Sequence, residues 1–323
     1  MASLRVPYKT VGDVGIPTDI YIPKQTESKP APILIMIHGG AFMLGHAGIN
    51  STDQIQDCLE RGWIVLAIEH RLCPGVSVLD GPMADVHDAL SWAQNGDLVR
   101  VLKEHGKELA VDAQRILVMG TSSGGHLALS TAWNSDRTPV AILDFYGPKC
   151  FADPFWSMPM PDMPEHFYNP LSDADVRAVY DEQAVFTGGL SLEGQASGAD
   201  FSNTKQRQGF AMHQIAIGKV INTIWPLYPS NLEQIDPILN VSADWPPTAI
   251  VHGTADTMVP IRLSKEFEKR LRDNGVKTAF FEIEGEPHTF VGKMVKGSTT
   301  WETQRRGFDW LEERLKESCK QIE

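Results

Sequence analysis

The run Gly120-Thr121-Ser122-Ser123-Gly124-Gly125 follows an apolar stretch at 115–119 and precedes helix-compatible residues at 126–133. A serine raised on a sharp turn between strand and helix can act as a nucleophile, and the spacing here is G-x-S-x-G. The glycines allow the tight turn. The helix beyond it aims its N-terminal N–H groups, with their partial positive charge, at the place where a carbonyl oxygen becomes an oxyanion. Ser123 is less suited to attack, because Thr121 stands two residues before it where a glycine is needed; its backbone N–H is expected to be an oxyanion donor. A second run, His38-Gly39-Gly40-Ala41-Phe42, comes directly after the apolar stretch 33–37. Small consecutive residues there let the N–H groups of Gly39, Gly40 and Ala41 approach a substrate.

A hydroxyl nucleophile needs a base, and the base needs an acid to orient it. His252-Gly253-Thr254-Ala255-Asp256 follows the stretch 248–252, which places Asp256 at the carboxyl edge of a sheet, where open α/β sites lie. Asp144, inside the preceding strand, is the other candidate acid. Gly285-Glu286-Pro287-His288-Thr289-Phe290 follows the last strand-like run and supplies His288. The chain order is therefore Ser122, Asp256, His288. Such a set performs acyl transfer: His288 takes the Ser122 proton during attack on a carbonyl, Asp256 holds the imidazole tautomer, and water releases the acyl group.

These residues need a sheet to hold them. Short apolar, β-branched runs at 33–37, 63–69, 115–119, 140–145, 248–252 and 278–283 alternate with stretches of helical period. That alternation is the pattern of an α/β fold with a mostly parallel central sheet covered by helices on both faces. Met83, Val86, Leu90 and Ala93 share one helical face, as do Leu263, Phe267 and Leu271, and Phe308, Leu311 and Leu315. Residues 6–10 and 18–22 flank glycine turns and are expected to pair as an antiparallel hairpin at the sheet edge. The alternation stops between 149 and 245, where Pro, Met, Trp and Gly are frequent. A Gly-rich stretch spans 188–198, and 210–225 has a helical pattern. The expected organisation is a catalytic domain of residues 1–148 and 246–323 carrying a cap or lid insertion at 149–245. Phe42, beside the glycine run, and Trp156, Met158 and Met160, in the insertion, are the candidate substrate contacts.

The motifs resemble those of hormone-sensitive-lipase-like carboxylesterases and of the kynurenine-formamidase and feruloyl-esterase-like α/β-hydrolases. The resemblance rests on His38-Gly39-Gly40, Glu69-His70-Arg71-Leu72-Cys73-Pro74, residues 82–92 and 120–126, His252 to Asp256, and Pro287-His288. It covers residues 1–148 and 246–323 and implies the α/β-hydrolase fold with a carboxylesterase-like activity. Ala41 replaces the third glycine of the lipase-like branch, and Phe42 replaces the tryptophan of the formamidase branch. An alanine N–H still donates. Nothing carries over to the insertion.

The remaining features exclude other classes. A formal net charge of −12 opposes binding to nucleic acid. No apolar run approaches the length of a membrane span and the first residues lack a signal-peptide core, so a cytoplasmic protein is expected. Four irregularly spaced cysteines suggest free packing thiols, and no histidine pair has zinc-ligand spacing. The run 292–299 falls short of a phosphate-binding loop because the lysine before its final hydroxyl residue is missing. No cofactor or metal is expected. His126 and His252 are expected to pack or to shape turns. The partner is a small-molecule ester or acyl compound of small to medium size and apolar character; lactone, amide and thioester use the same chemistry. An acyltransferase on the same residues and a ligand-binding receptor on this scaffold are the competing functions.

Overall fold

The computed structural model describes residues 4–24, 29–182, 204–290 and 294–320. The Gly-rich stretch 188–198 and the first two residues of the run 292–299 lie outside them. Eight strands form one sheet: β1 (Leu4–Val11), β2 (Val14–Tyr21), β3 (Ala31–Ile37), β4 (Ile64–Ile68), β5 (Val111–Thr121), β6 (Ala141–Phe145), β7 (Thr248–Gly253) and β8 (Thr278–Ile283). Their order across the sheet is β1-β2-β4-β3-β5-β6-β7-β8. From β4 onward every pairing is parallel, whereas β1 and β2 form the expected antiparallel hairpin at one edge. Buried strands of this kind need apolar residues on both faces, and all of β4 and β6 is buried.

Alternation along β3 divides the core. Ile33, Ile35 and Ile37 face a layer holding Val86, Leu90, Leu127, Leu263 and Phe267, while Leu34 and Met36 face Ile55, Phe308, Leu311 and Leu315. Helices Ala84–Gln94, Ser123–Ser130 and Ile261–Asp273 thus cover one face, and Thr52–Glu60 and Thr299–Lys320 the other. No helix among the described residues is long and apolar enough to cross a membrane. Cys58, Cys73, Cys150 and Cys319 are free thiols, and only Cys319 is exposed.

Parallel register does the positioning. Ile37 of β3 lies opposite Gly120 of β5, and Thr121 lies opposite Phe145 of β6, so the turns after these strands open along one edge. Residues 149–245 leave the sheet after β6 and return before β7. The Asp236 carboxylate accepts the N–H groups of Cys150 (3.0 Å) and Phe151 (2.5 Å) near the start of this excursion, and caps helix Pro237–Asn240 near its end. Phe151, Trp156, Phe210, Ile221 and Trp225 pack into the same core as the covering helices. The helical pattern at 210–225 is two helices, Thr204–Ala216 and Val220–Ile224. They part at Gly218, which has φ 66° and lies so near Met158 that a Cβ would sit 2.2 Å from its carbonyl oxygen. The Met160 N–H bonds to the Ala216 carbonyl (2.9 Å), so a neighbouring chain segment meets the helix end.

Candidate active site

Ser122 sits between β5 and helix Ser123–Ser130 with φ 51° and ψ −125°, outside the regions a non-glycine residue ordinarily occupies. Strain of this kind typically costs about 1–3 kcal/mol and persists only where the surroundings impose it. Here the Ser122 N–H bonds to the Phe145 carbonyl (2.9 Å), and the turn is closed by two glycines in contact. A Cβ on Gly120 would lie 2.0 Å from the Gly124 carbonyl oxygen, and one on Gly124 would lie 2.3 Å from that of Ile37. The Gly-x-Ser-x-Gly spacing is thus a backbone approach of three strands and turns. Gly124→Ala is expected to destabilise the protein by about 3 kcal/mol, because backbone rather than a flexible side chain must move. Denaturant melts beside steady-state turnover will measure this, and unchanged stability would contradict it.

The three residues expected to work together meet. The Ser122 hydroxyl lies 2.9 Å from His288 Nε2, and His288 Nδ1 lies 2.7 Å from Asp256 Oδ2. All three are buried with a small exposed face: 8% for Ser122, 7% for Asp256 and 8% for His288. Burial acts to raise the Asp256 carboxyl, but the neighbouring His288 and His252 overcome it and hold the group well below the usual carboxylate range. An ionised Asp256 makes His288 Nδ1 the protonated nitrogen, so Nε2 is left to accept the Ser122 proton. Asp256 Oδ1 in turn accepts the N–H groups of Met258 and Val259, each at 2.9 Å, which fixes the carboxylate plane. The Tyr146 ring meets the His288 ring edge to face, centroids 4.8 Å apart.

Behind Asp256 lies a polar chain that the sequence reading assigned to turn shaping or left unread. His252 Nε2 faces two acceptors, the Val259 carbonyl (2.8 Å) and Asp256 Oδ2 (3.2 Å), and so carries the proton. His252 Nδ1 lies 2.9 Å from Ser264 Oγ, which is 2.8 Å from Lys149 Nζ. Lys149 ends the chain on Asp144 Oδ2 at 2.5 Å, both side chains being fully buried. Asp144, the alternative acid, is therefore committed to Lys149 and to the Gly147 N–H (2.8 Å). The only sequence signal for His252 was its spacing of four from Asp256; Tyr146 and Lys149 had none.

A cavity of about 610 Å³, including its open mouth, adjoins Ser122 and His288. Ala41, Phe42, Ser123, Trp156, Met158 and Met160 line it, together with Phe155, Ile215, Ile221, Met258 and Val259. Every candidate substrate contact is thus on the wall, and no charged side chain is among the lining residues. Gly39 and Gly40 are not among the residues that line the cavity. Ser123 is the first residue of its helix, so its N–H has no intrahelical acceptor. Phe42 and Phe151 pack on either side of His126, whose Nδ1 bonds to the Pro148 carbonyl (3.0 Å), a packing role as expected. Among the described residues no group of acidic, histidine and cysteine side chains is arranged to hold a metal ion.

The chain is similar over 94% of its length to part of the non-reducing polyketide synthase ascC of Acremonium egyptiacum (30% identity) and over 95% to part of Preu6, a non-reducing polyketide synthase of Preussia isomera (32%). It spans only 15% and 14% of the lengths of these relatives. Among solved structures it resembles Thermogutta terrifontis esterase 2 phosphoramylated by tabun, at 19% identity with a TM-score of 0.60, covering 96% of this chain and 94% of that one. It also resembles a protein with unknown function from Staphylococcus aureus subsp. aureus Mu50, at 19% identity with a TM-score of 0.67, covering 96% and 97%. These likenesses share the fold. The BD-FAE family model matches residues 18–271. With that match spanning most of the sheet, both glycine turns and Asp256, the chain belongs to the BD-FAE family and has the α/β-hydrolase fold.

Proposed function

We propose that the protein hydrolyses a carboxylic ester of a small to medium apolar compound through an acyl-enzyme on Ser122. The observation that carries this reading is the unbroken hydrogen-bonded line Ser122–His288–Asp256 opening on an apolar cavity. Ser122 Oγ bonds to the ester carbonyl carbon as its proton passes to His288 Nε2. Asp256 stabilises the resulting imidazolium, and the N–H groups of Ala41 and Ser123, both residues of the cavity wall, receive the oxyanion. Collapse of the tetrahedral adduct breaks the bond to the alkoxide, which leaves as the alcohol with the proton from His288. Water, deprotonated by His288, then releases the acid and restores Ser122. Residues 149–245 act as a cap, since Trp156, Met158, Met160, Ile215 and Ile221 wall the cavity without offering a charge to a substrate.

A fluorophosphonate probe is expected to label the folded protein once, at the peptide bearing Ser122, and p-nitrophenyl esters of short uncharged acids to be turned over. A folded protein that is neither labelled nor active on any of these esters would overturn the reading. The relation to polyketide synthases favours a second reading, in which the same serine takes an acyl group from a thioester or passes it to an alcohol or amine. Product analysis with an added acceptor alcohol separates the two: hydrolysis gives the free acid, transfer gives the new ester.

A further inference from the structure

The turn after β3 is under strain. Ala41 (φ 54°) and Phe42 (φ 64°) both occupy the left-handed region without being glycine, and Gly40 has φ 129°. Such a conformation needs support from outside the turn. Some is local: the Gly40 carbonyl accepts the N–H groups of Met43 (3.0 Å) and Leu44 (2.8 Å), and the Phe42 carbonyl accepts that of Cys73 (2.9 Å). The rest comes from the insertion. Arg207, on helix Thr204–Ala216 and only 2% exposed, donates from Nη1 to the Met43 carbonyl (3.1 Å) and to the Cys73 carbonyl (2.5 Å). Its Nε donates to Glu182 Oε2 (2.6 Å), and its Nη2 pairs with the same oxygen. One guanidinium thus joins the end of the glycine turn, the segment that holds Phe42, and a carboxylate from another part of the insertion. The same helix carries Ile215, on the cavity wall.

We propose that Arg207 is a positioning residue that sets the oxyanion turn from within the insertion, so that the insertion governs turnover as well as substrate fit. This rests on the reading of Ser122 as the nucleophile. The donors of an oxyanion turn must meet the oxygen in the transition state more closely than in the bound ester, so a small displacement of Ala41 falls on kcat rather than on KM. A lysine at 207 would keep the charge beside Glu182. Its single ammonium lacks the planar fork that spans both carbonyls while holding the carboxylate.

The test uses p-nitrophenyl butyrate as substrate and an alkyl trifluoromethyl ketone as transition-state analogue. Attack of Ser122 Oγ on the ketone carbon, with the serine proton moving to His288, leaves an oxyanion in the turn. Arg207→Met is expected to lower kcat by about 100-fold with KM within about threefold, and to weaken the ketone in parallel with kcat. Arg207→Lys should fall between this variant and wild type. If Arg207→Met does not fold, as judged by its thermal melt, the lysine variant carries the test, with about a tenfold loss expected in both kcat and ketone affinity. Unchanged kcat and ketone affinity in a folded Arg207 variant would overturn the proposal. So would a loss confined to KM. Failure of the underlying reading looks different: wild-type protein would then escape fluorophosphonate labelling at Ser122.

Discussion

Ser122→Ala is expected to lower kcat by roughly 10⁶-fold, His288→Ala to cost about as much, and the double variant to be no worse than either. The reason lies in the distances. With His288 Nε2 at 2.9 Å from Ser122 Oγ, the two side chains form one device for making and breaking a single bond. Removing either disables the other, so their losses do not add. Single-turnover and steady-state rates with p-nitrophenyl butyrate will measure the series, with thermal melts to confirm that each variant is folded. Losses that multiplied in the double variant would show two independent contributions and would refute the coupled pair. The residual rate reports what the oxyanion turn and the cavity supply without a nucleophile.

The second large effect separates two buried aspartates. Asp256→Asn is expected to reduce kcat by about 10⁴-fold, because an amide no longer dictates which nitrogen of His288 carries the proton. Since the Asp256 carboxyl is held well below the ordinary range, it stays ionised under ordinary assay conditions, and the loss should persist across neutral and alkaline pH. Asp144→Asn is expected to act on stability. It leaves the Lys149 ammonium buried without its carboxylate partner 2.5 Å away, a change typically costing about 3–5 kcal/mol, while the folded fraction keeps most of its turnover. Denaturant melts paired with active-site titration distinguish the two. The reverse pattern would transfer the acid's role to Asp144.

Much of this site could be read in the chain because the chemistry is bound to strand ends. Six apolar runs marked the strands from β3 to β8, and the residues just beyond four of them, at 38–42, 120–125, 256 and 288, hold both glycine turns, the proposed acid and the proposed base. The glycine turns between residues 10 and 18 also gave the edge hairpin. What escaped notice depends on contacts far apart in sequence. Lys149 reads as the first residue of an insertion, yet it is an internal cation whose partners, Asp144 and Ser264, come from two other elements. Arg207 sits in a polar helical stretch, and only the fold brings its guanidinium to the carbonyls of Met43 and Cys73. The helical period at 210–225 was real, but period alone does not register the close approach of Met158 that separates the two helices at Gly218.

The Asp236 carboxylate gives the long excursion a common point of departure and return. Its bonds to Cys150 and Phe151 join positions 86 and 85 residues apart in the chain. Between those fixed ends a change in length or in a cavity-facing residue need not shift the register of β6 on β7. Arg207 is the exception within the excursion, because its contacts to the Met43 and Cys73 carbonyls tie that one position to the turn after β3.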